Sequence, residues 1–255
     1  MVILFADMPV FLLMAVLSTQ AWRSDYEAGL RAAQGWLSLA GLYWLKPGLN
    51  AVPLPARCGG RQLAVTFRDG RASLASGEMV LDQNVEDACG VSLMFIRRGE
   101  RFGIRMRDPL AETRRDFHGL TWYPEDEKCR VRAGWHAYVP VKKIPITNVL
   151  GDTQDEECPG YAQFELGGIT YRLEPTVEDG KLFFMFRDGT SADATYGSGR
   201  FLKAEMSVDG FVELDFNRAY NPPCAYTAFA TCPLPPRQNR MPVRVEAGEK
   251  RYGSH

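Results

Sequence analysis

Apolar and polar residues alternate in short runs along most of this chain, which is the pattern of half-buried β-strands. Turn residues separate the runs. Asp69-Gly70 and Gly167-Gly168 each stand between two runs, and such pairs are a strong β-hairpin signal. Residues 151–160 are mostly polar and are predicted to form a loop. We predict strands at residues 42–45, 62–68, 72–74, 91–97, 102–106, 135–138, 143–146, 163–166, 169–174, 182–187, 212–216 and 243–247.

One short helix is predicted before the first strand, in a chain that is otherwise all-β. Ser24 and Glu27 have the spacing of a capping box, so we expect the helix to start at Ser24 and to end near Ala33. The strands then fall into two groups. We predict the helix and a small β-sandwich at residues 22–108, followed by a second antiparallel β-sandwich or barrel-like half at residues 109–255.

The charge of the chain is balanced, with 30 basic and 31 acidic residues among 255. Domains that bind nucleic acids usually carry a basic patch, so no nucleic-acid partner is expected. Residues 1–21 hold an apolar run and end in small residues, which predicts a cleaved export signal and a periplasmic location. A mature first segment of a cytoplasmic protein is the alternative. The run is too short to be a stable transmembrane anchor.

Six cysteines fit either compartment, because an even number of widely spaced cysteines is compatible with disulfides and allows 15 pairings. Cys224 and Cys232 are near neighbours and could bridge across a turn. The sequence has no CxxC pair and no cluster of histidines, so a structural zinc site is not expected. No metal and no cofactor is predicted.

The densest group of chemically capable residues lies at positions 214–236, LDFNRAYNPPCAYTAFATCPLPP. Pro222 and Pro223 end any strand ladder, because proline has no N–H to donate. The segment is therefore predicted to be an ordered loop whose backbone is held by side chains such as Asp215 and Asn217. Together with polar residues nearby in the second half, it is predicted to form a pocket wall. The candidate site residues are Asp188, Tyr196, Arg200, Asp215, Asn217, Arg218, Tyr220, Asn221, Cys224, Tyr226 and Glu249.

Several stretches resemble the bacterial domain-of-unknown-function family 1684 between about Gly35 and Lys250. They are GWLSLAGLYWLKPG, RMRDP, FRDGTSADATYGSGRFL, DFNRAYNPPCAYTAFATCPLPP, QNRMPV and EAGEK. The resemblance implies that the first half is similar to a forkhead-associated-like β-sandwich. It also implies an export or lipoprotein signal in many members, which supports a leader at residues 1–21. It implies no particular activity.

Three functions are compatible with these residues. Binding of a small polar or anionic ligand is the first, because arginine suits capture of a carboxylate or phosphate and tyrosine gives a rigid wall. The second is a hydrolase or transferase, with Cys224 as a nucleophile beside Arg218, or with Asp215 and Glu249 as an acid/base pair. The third is a purely structural role, with an Asp215–Arg218 ion pair and a Cys224–Cys232 staple that brace the fold.

Overall fold

The computed structural model of the protein describes residues 10–87, 89–206 and 209–253. Fifteen β-strands and two α-helices follow one another in this part of the chain. They are α1 Val10–Arg31, β1 Leu39–Trp44, β2 Gly48–Pro53, β3 Gln62–Arg68, β4 Arg71–Leu74, β5 Gly77–Met79, β6 Asn84–Glu86, β7 Ser92–Arg98, β8 Arg101–Arg107, α2 Glu112–Arg115, β9 Arg130–Thr147, β10 Thr153–Leu166, β11 Ile169–Leu173, β12 Thr176–Glu178, β13 Lys181–Phe186, β14 Arg200–Ala204 and β15 Phe211–Asp215.

The strands of the first half form two four-stranded antiparallel sheets, in the orders β1-β8-β7-β6 and β2-β3-β4-β5. Alternate side chains point to opposite faces of a strand, so Val65 and Phe67 of β3 meet Phe95 of β7 and Ile104 of β8 in one buried cluster. The two sheets therefore pack as a small sandwich. A disulfide between Cys58 and Cys89 closes one side of it.

The strands of the second half also form two antiparallel sheets, in the orders β11-β10-β9-β15 and β12-β13-β14. Phe164 of β10 and Leu214 of β15 pack against Phe184 and Phe186 of β13 in a second buried cluster. Every residue of β13 after the first is buried, as its apolar sequence predicts. The four sheets of the described residues remain open at their edges, so the all-β prediction is confirmed with a sandwich rather than a closed barrel.

Both predicted hairpin turns are present. Asp69 and Gly70 have positive φ angles of 51° and 76°, and Arg68 pairs with Arg71 across them. Glycine and aspartate tolerate this left-handed backbone better than most residues. Gly167 and Gly168 connect β10 to β11 in the same way. The local turn signal therefore fixes the register of these two hairpins.

Two predictions about the middle of the chain are wrong. Of the loop predicted at residues 151–160, all but the first two residues belong to β10, whose first five side chains are exposed although their backbone pairs with β9. The strands predicted at 135–138 and 143–146 form one strand, β9, because the ladder continues past an irregularity between Cys158 and Gly160. Because β10 begins with five polar residues and β9 contains Pro140 and Pro145, the alternation of apolar and polar residues did not predict the full length of these two strands.

Two further predictions fail at the ends of the chain. The strand predicted at 243–247 does not form, because backbone groups of this segment bond to side chains instead: the N–H of Val245 donates to Oδ2 of Asp188 at 2.7 Å. Helix α1 starts at Val10, so Ser24 lies inside it and does not cap it. The helix-forming Leu, Met and Ala residues before Ser24 extend the helix toward the N-terminus.

Helix α1 packs against the second half of the chain. Trp22 and Tyr26 are one turn apart on the same face, stack on each other at 5.4 Å, and contact Tyr220. The guanidinium of Arg23 donates to the carbonyl of Asn217 at 3.1 Å. The division into residues 22–108 and 109–255 stays a prediction. The predicted export signal at 1–21 also stays one, and its residues 1–9 lie outside the described part.

A third buried cluster joins the two halves. It contains Leu39 of β1, Ile144 of β9, and Phe183 and Met185 of β13. Of the helices in the described residues, none combines the length and the apolarity that crossing a bilayer requires.

Candidate functional site

The loop predicted from the prolines is present and is built from short 3-10 turns. Asp215 ends β15, and its Oδ1 accepts the N–H of Asn217 at 3.1 Å, which caps the turn Phe216–Arg218. Pro222 precedes a second turn, Pro223–Ala225, and supplies no N–H that would need a partner there. Asp215 and Asn217 therefore satisfy the backbone as the sequence predicts.

Asp215 lies in an ion-pair network near the surface. Its Oδ2 is 3.3 Å from Nε of Arg130 and 3.5 Å from Nε of Arg218. Arg130 also pairs with Glu125 at 2.7 Å, and Arg218 donates to Oγ of Ser18 in α1 at 2.7 Å. The predicted Asp215–Arg218 pair is therefore present within a larger group of charges that reaches the helix.

Asp188 and Arg200 form a fully buried ion pair, with 3.3 Å between Oδ1 and Nη2. The guanidinium also donates to the carbonyl of Val245 at 2.9 Å and to that of Ala247. Asp188 accepts hydrogen bonds from Thr190, in addition to the one from the N–H of Val245. Burial lowers the pKa of Arg200. The pair ties β13 and β14 to the segment that follows Pro242, beneath any surface that a ligand could reach.

Glu249 is the centre of a second buried network. Its carboxylate accepts hydrogen bonds from the backbone N–H of Asn221 at 2.8 Å and from the side-chain Nδ2 of Asn221 at 2.7 Å. It also accepts one from the hydroxyl of Tyr226 at 2.6 Å. The hydroxyl of Tyr26 in α1 lies 3.3 Å from that of Tyr226. Burial raises the pKa of the Glu249 carboxyl to about 7, although these hydrogen bonds act in the opposite direction. Glu249 and Asp215 therefore belong to separate networks.

Two cavities lie side by side against Trp36, Lys203 and Tyr220. The larger, of about 970 Å³, lies between α1 and the second half. Three of the candidate residues line it, Asp215, Arg218 and Tyr220. Asn221, Tyr226 and Glu249 are buried instead, as the Asp188–Arg200 pair is, and Tyr196 is half-buried.

The smaller cavity, of about 350 Å³, lies between the two halves and is called the arginine cavity here. Its volume is in the range of ordinary small-molecule sites. Of the described residues that line it, three are cations and one is a carboxylate, and that carboxylate, Glu178, pairs with Lys203 at 2.6 Å. Its lining residues are Trp36, Arg98, Arg105, Glu178, Phe183, Phe201, Lys203, Tyr220, Pro223, Thr231, Cys232 and Pro233.

Arg105 of β8 is the unusual member of the arginine cavity. Only 5% of it is exposed, its Nε is buried without a hydrogen-bond partner, and it forms no ion pair with the rest of the described chain, although Asp82 lies near enough to act to raise its pKa. The ring of Trp36 lies 5.4 Å from its guanidinium and 5.8 Å from that of Arg107. Burial, together with Arg98 and Arg107, lowers the pKa of Arg105 to about 10. Arg105 therefore stays protonated at neutral pH, close to other cations.

Sequence reasoning missed Arg98 and Arg105. The strand alternates apolar and basic residues, so Ile104 and Met106 face the first sandwich and Arg105 is expected on the opposite, solvent-facing side. The second half covers that side. The RMRDP stretch carries the resemblance to the family, but nothing local in it shows that a distant segment buries the arginine.

Cys224 and Cys232 are free thiols that face each other. The N–H of Cys224 donates to Sγ of Cys232 at 3.1 Å, and the N–H of Cys232 donates to Sγ of Cys224 at 3.4 Å. The predicted proximity is therefore present, without the covalent bridge. A histidine base beside Cys224 is not found among the described residues: His136 stacks on Tyr161 and His118 is exposed. Among the described residues, no group of three or more His, Cys, Asp and Glu could hold a metal ion.

The molecule is thus an all-β protein with two sandwiches and a basic cavity between them. The sequence profile of the family described as protein of unknown function (DUF1684) matches residues 115–250, which is more than half of the chain. The chain belongs to this family.

Individual proteins were compared with this chain as well. No curated protein matches this chain. Among solved structures, it is similar to the solution NMR structure of an uncharacterized protein from Haloarcula marismortui, with 33% identity and a TM-score of 0.45. The similarity covers 54% of this chain and 78% of that one. Neither description assigns an activity or a ligand.

Proposed function

We propose that this protein binds a small anion, with a phosphate or carboxylate group, in the arginine cavity. The observation that carries the proposal is Arg105, a buried cation that lines the cavity and has no anionic partner in the described chain. Removing a charge from water costs several kcal/mol unless a partner compensates for it. A bound anion supplies that partner.

The surroundings of Arg105 favour an anion rather than a neutral ligand. Arg98 and Lys203 line the same cavity, so the positive charges there exceed the single carboxylate of Glu178. Because a guanidinium presents several N–H donors in one plane, it suits the paired oxygens of phosphates and carboxylates. The hydroxyl-bearing Tyr220 and Thr231 provide further donors in the same wall.

In this site the ligand would lie between the two halves of the chain. Strands β7 and β8 of the first half contribute the arginines, and the segment after β15 in the second half contributes Tyr220 and Thr231. Trp36 covers the guanidinium from one side. A ring above an arginine holds the side chain in one orientation and leaves the edge of the guanidinium free to donate. The site is therefore preorganised for its ligand.

Thermal denaturation in inorganic phosphate tests this proposal, with ionic strength held constant by chloride. Wild-type protein should be stabilised by about 1.4 kcal/mol at a phosphate concentration ten times the Kd, and the stabilisation should keep rising with the logarithm of the phosphate concentration. Arg105→Met should abolish this response. In the absence of phosphate, it should melt at the same temperature as the wild type or higher, because an unpaired buried charge has been removed.

The matched control is Arg71→Met on β4, which removes an exposed arginine paired with Glu78 in the first sandwich. This variant should respond to phosphate as the wild type does. An equal response of Arg105→Met and wild type would contradict the proposal, as would the absence of phosphate-dependent stabilisation in the wild type.

A further inference from the structure

We propose that Cys224 and Cys232 form a dithiol that exchanges with small disulfides, and that it prefers disulfides carrying a negative charge. The preference for a negative charge rests on the anion site proposed above. The exchange itself rests on the two cysteines alone. The two parts can therefore fail separately.

The geometry of the pair supports exchange. Each Sγ accepts the other cysteine's backbone N–H, so the two residues face each other across the loop. A disulfide requires the sulfur atoms to approach to about 2.05 Å, with the Cα atoms about 4.4–6.8 Å apart. Two residues whose N and Sγ atoms are already in contact can reach this separation with a small movement. Tyr220 and Trp36 pack beside them.

The two thiols are not equivalent. Cys224 is half-buried, and the hydrogen bond from the Cys232 thiol lowers its pKa, with Arg105 acting in the same direction. That same bond, together with burial, raises the pKa of Cys232. A lowered pKa increases the fraction of thiolate, which is the attacking species. Cys224 is therefore the nucleophile and Cys232 the thiol that resolves the intermediate.

The other free cysteines lack this arrangement. Burial raises the pKa of both Cys129 and Cys158 to about 11. Both are buried in apolar clusters, so little of either is thiolate at neutral pH. The chain thus contains its own internal controls for thiol reactivity.

The exchange balances without any further reagent. The Cys224 thiolate attacks one sulfur of a disulfide RSSR, which forms a mixed disulfide and releases RS⁻. The leaving thiolate takes up the proton of Cys232. The Cys232 thiolate then attacks Sγ of Cys224, which forms the Cys224–Cys232 disulfide and releases the second thiolate. In sum, one protein dithiol is oxidised and one small disulfide is reduced to two thiols.

The preference for an anion follows from the position of the pair. Cys232 forms part of the wall of the arginine cavity, together with Arg98 and Arg105. A disulfide with a carboxylate can bind its charged group to these guanidiniums while its sulfur atoms lie against the cysteines. Local fields of this kind raise association rates by about 10- to 1,000-fold.

The test compares two aromatic disulfides on reduced, desalted full-length protein at pH 7. Dithiobis(nitrobenzoate) carries two carboxylates, and dithiodipyridine is neutral. Wild-type protein should release two thiols per chain in one fast phase with each reagent. The ratio of its rate with the anionic reagent to its rate with the neutral reagent should be at least about tenfold higher than the same ratio measured for free cysteine. Peptide mapping should then show a Cys224–Cys232 disulfide.

Three variants assign the steps. Cys224→Ser should lose the fast phase, and Cys232→Ser should release one thiol and retain the other half of the reagent as a mixed disulfide. Arg105→Met should remove the preference for the anionic reagent, so that the ratio of the two rates falls to that of free cysteine, because any effect of Arg105 on the pKa of Cys224 acts on both reagents alike. Cys129→Ser should behave as the wild type and serves as the matched control.

The outcomes separate the two proposals. If Cys224 and Cys232 react no faster than Cys129 and Cys158 in the native protein, the exchange is refuted, whatever phosphate does to stability. If exchange is fast but equal for both reagents and insensitive to Arg105→Met, the preference for an anion is refuted. Phosphate-dependent stabilisation then decides separately whether the anion site exists.

Discussion

Replacing Arg200 with methionine should lower the free energy of unfolding by about 3–5 kcal/mol. The guanidinium is fully buried, pairs with Asp188, and donates to the carbonyls of Val245 and Ala247. Methionine fills much of the same volume but leaves a buried carboxylate without its cation. Urea denaturation at pH 7 measures the loss.

Two further variants show whether the loss comes from the ion pair. Adding Asp188→Asn to Arg200→Met should recover part of the stability, because the uncompensated charge is removed. Arg244→Met, which removes an exposed arginine paired with Asp193, should change the urea midpoint little. A loss for Arg200→Met no larger than that for Arg244→Met would contradict the bracing role.

Replacing Glu249 with glutamine should change how stability depends on pH. Burial raises the pKa of this carboxyl from its ordinary 4.5 to about 7. Between these values the folded protein binds more protons at Glu249 than the unfolded chain does. The contribution of Glu249 to the free energy of unfolding of the wild type is therefore fully present below pH 4.5. It is lost as the pH rises to about 7. The gap between the two pKa values corresponds to about 3 kcal/mol.

Glutamine cannot ionise, and it can keep hydrogen bonds with Asn221 and Tyr226. The free energy of unfolding of Glu249→Gln minus that of the wild type should therefore increase by about 3 kcal/mol between pH 4.5 and 7.5. Urea titrations at several pH values measure this difference. Glu246→Gln, at an exposed carboxyl paired with Arg244, is the control and should follow the wild type. A difference for Glu249→Gln that does not change with pH would show that Glu249 is not held in a desolvated network.

The sequence predicted those parts of the fold that depend on local signals. The turns at Asp69-Gly70 and Gly167-Gly168 have their signal in adjacent residues, and the apolar stretch of β13 predicts its burial. The first five residues of β10 carry no apolar side chain, so they have no apolar–polar alternation that could predict a strand. The strand prediction at residues 243–247 was wrong for another reason. The backbone of this segment bonds to the side chains of Asp188 and Arg200, which are distant in sequence.

Local sequence likewise predicts the role of some candidate site residues and not of others. Asp215 and Asn217 cap a turn within three residues of themselves, so their roles follow from local sequence. Asp188 and Arg200 are among the predicted site residues, but only the fold shows that their charges compensate each other. Arg105 looks like an ordinary outward-facing residue of a strand, and its burial depends on how the two halves meet.

Anomalous scattering from a soaked anion would show whether the arginine cavity holds one. Crystals of the wild-type protein and of Arg105→Met would be soaked in sodium selenate, a tetrahedral dianion, and anomalous difference maps would be compared. In the wild type we expect a selenium peak in the arginine cavity, at a position that puts selenate oxygens about 2.7–3.2 Å from the guanidinium nitrogens of Arg105. The variant should show no such peak. A wild-type map with selenate at exposed lysines or arginines and none in the arginine cavity would contradict the proposed anion site.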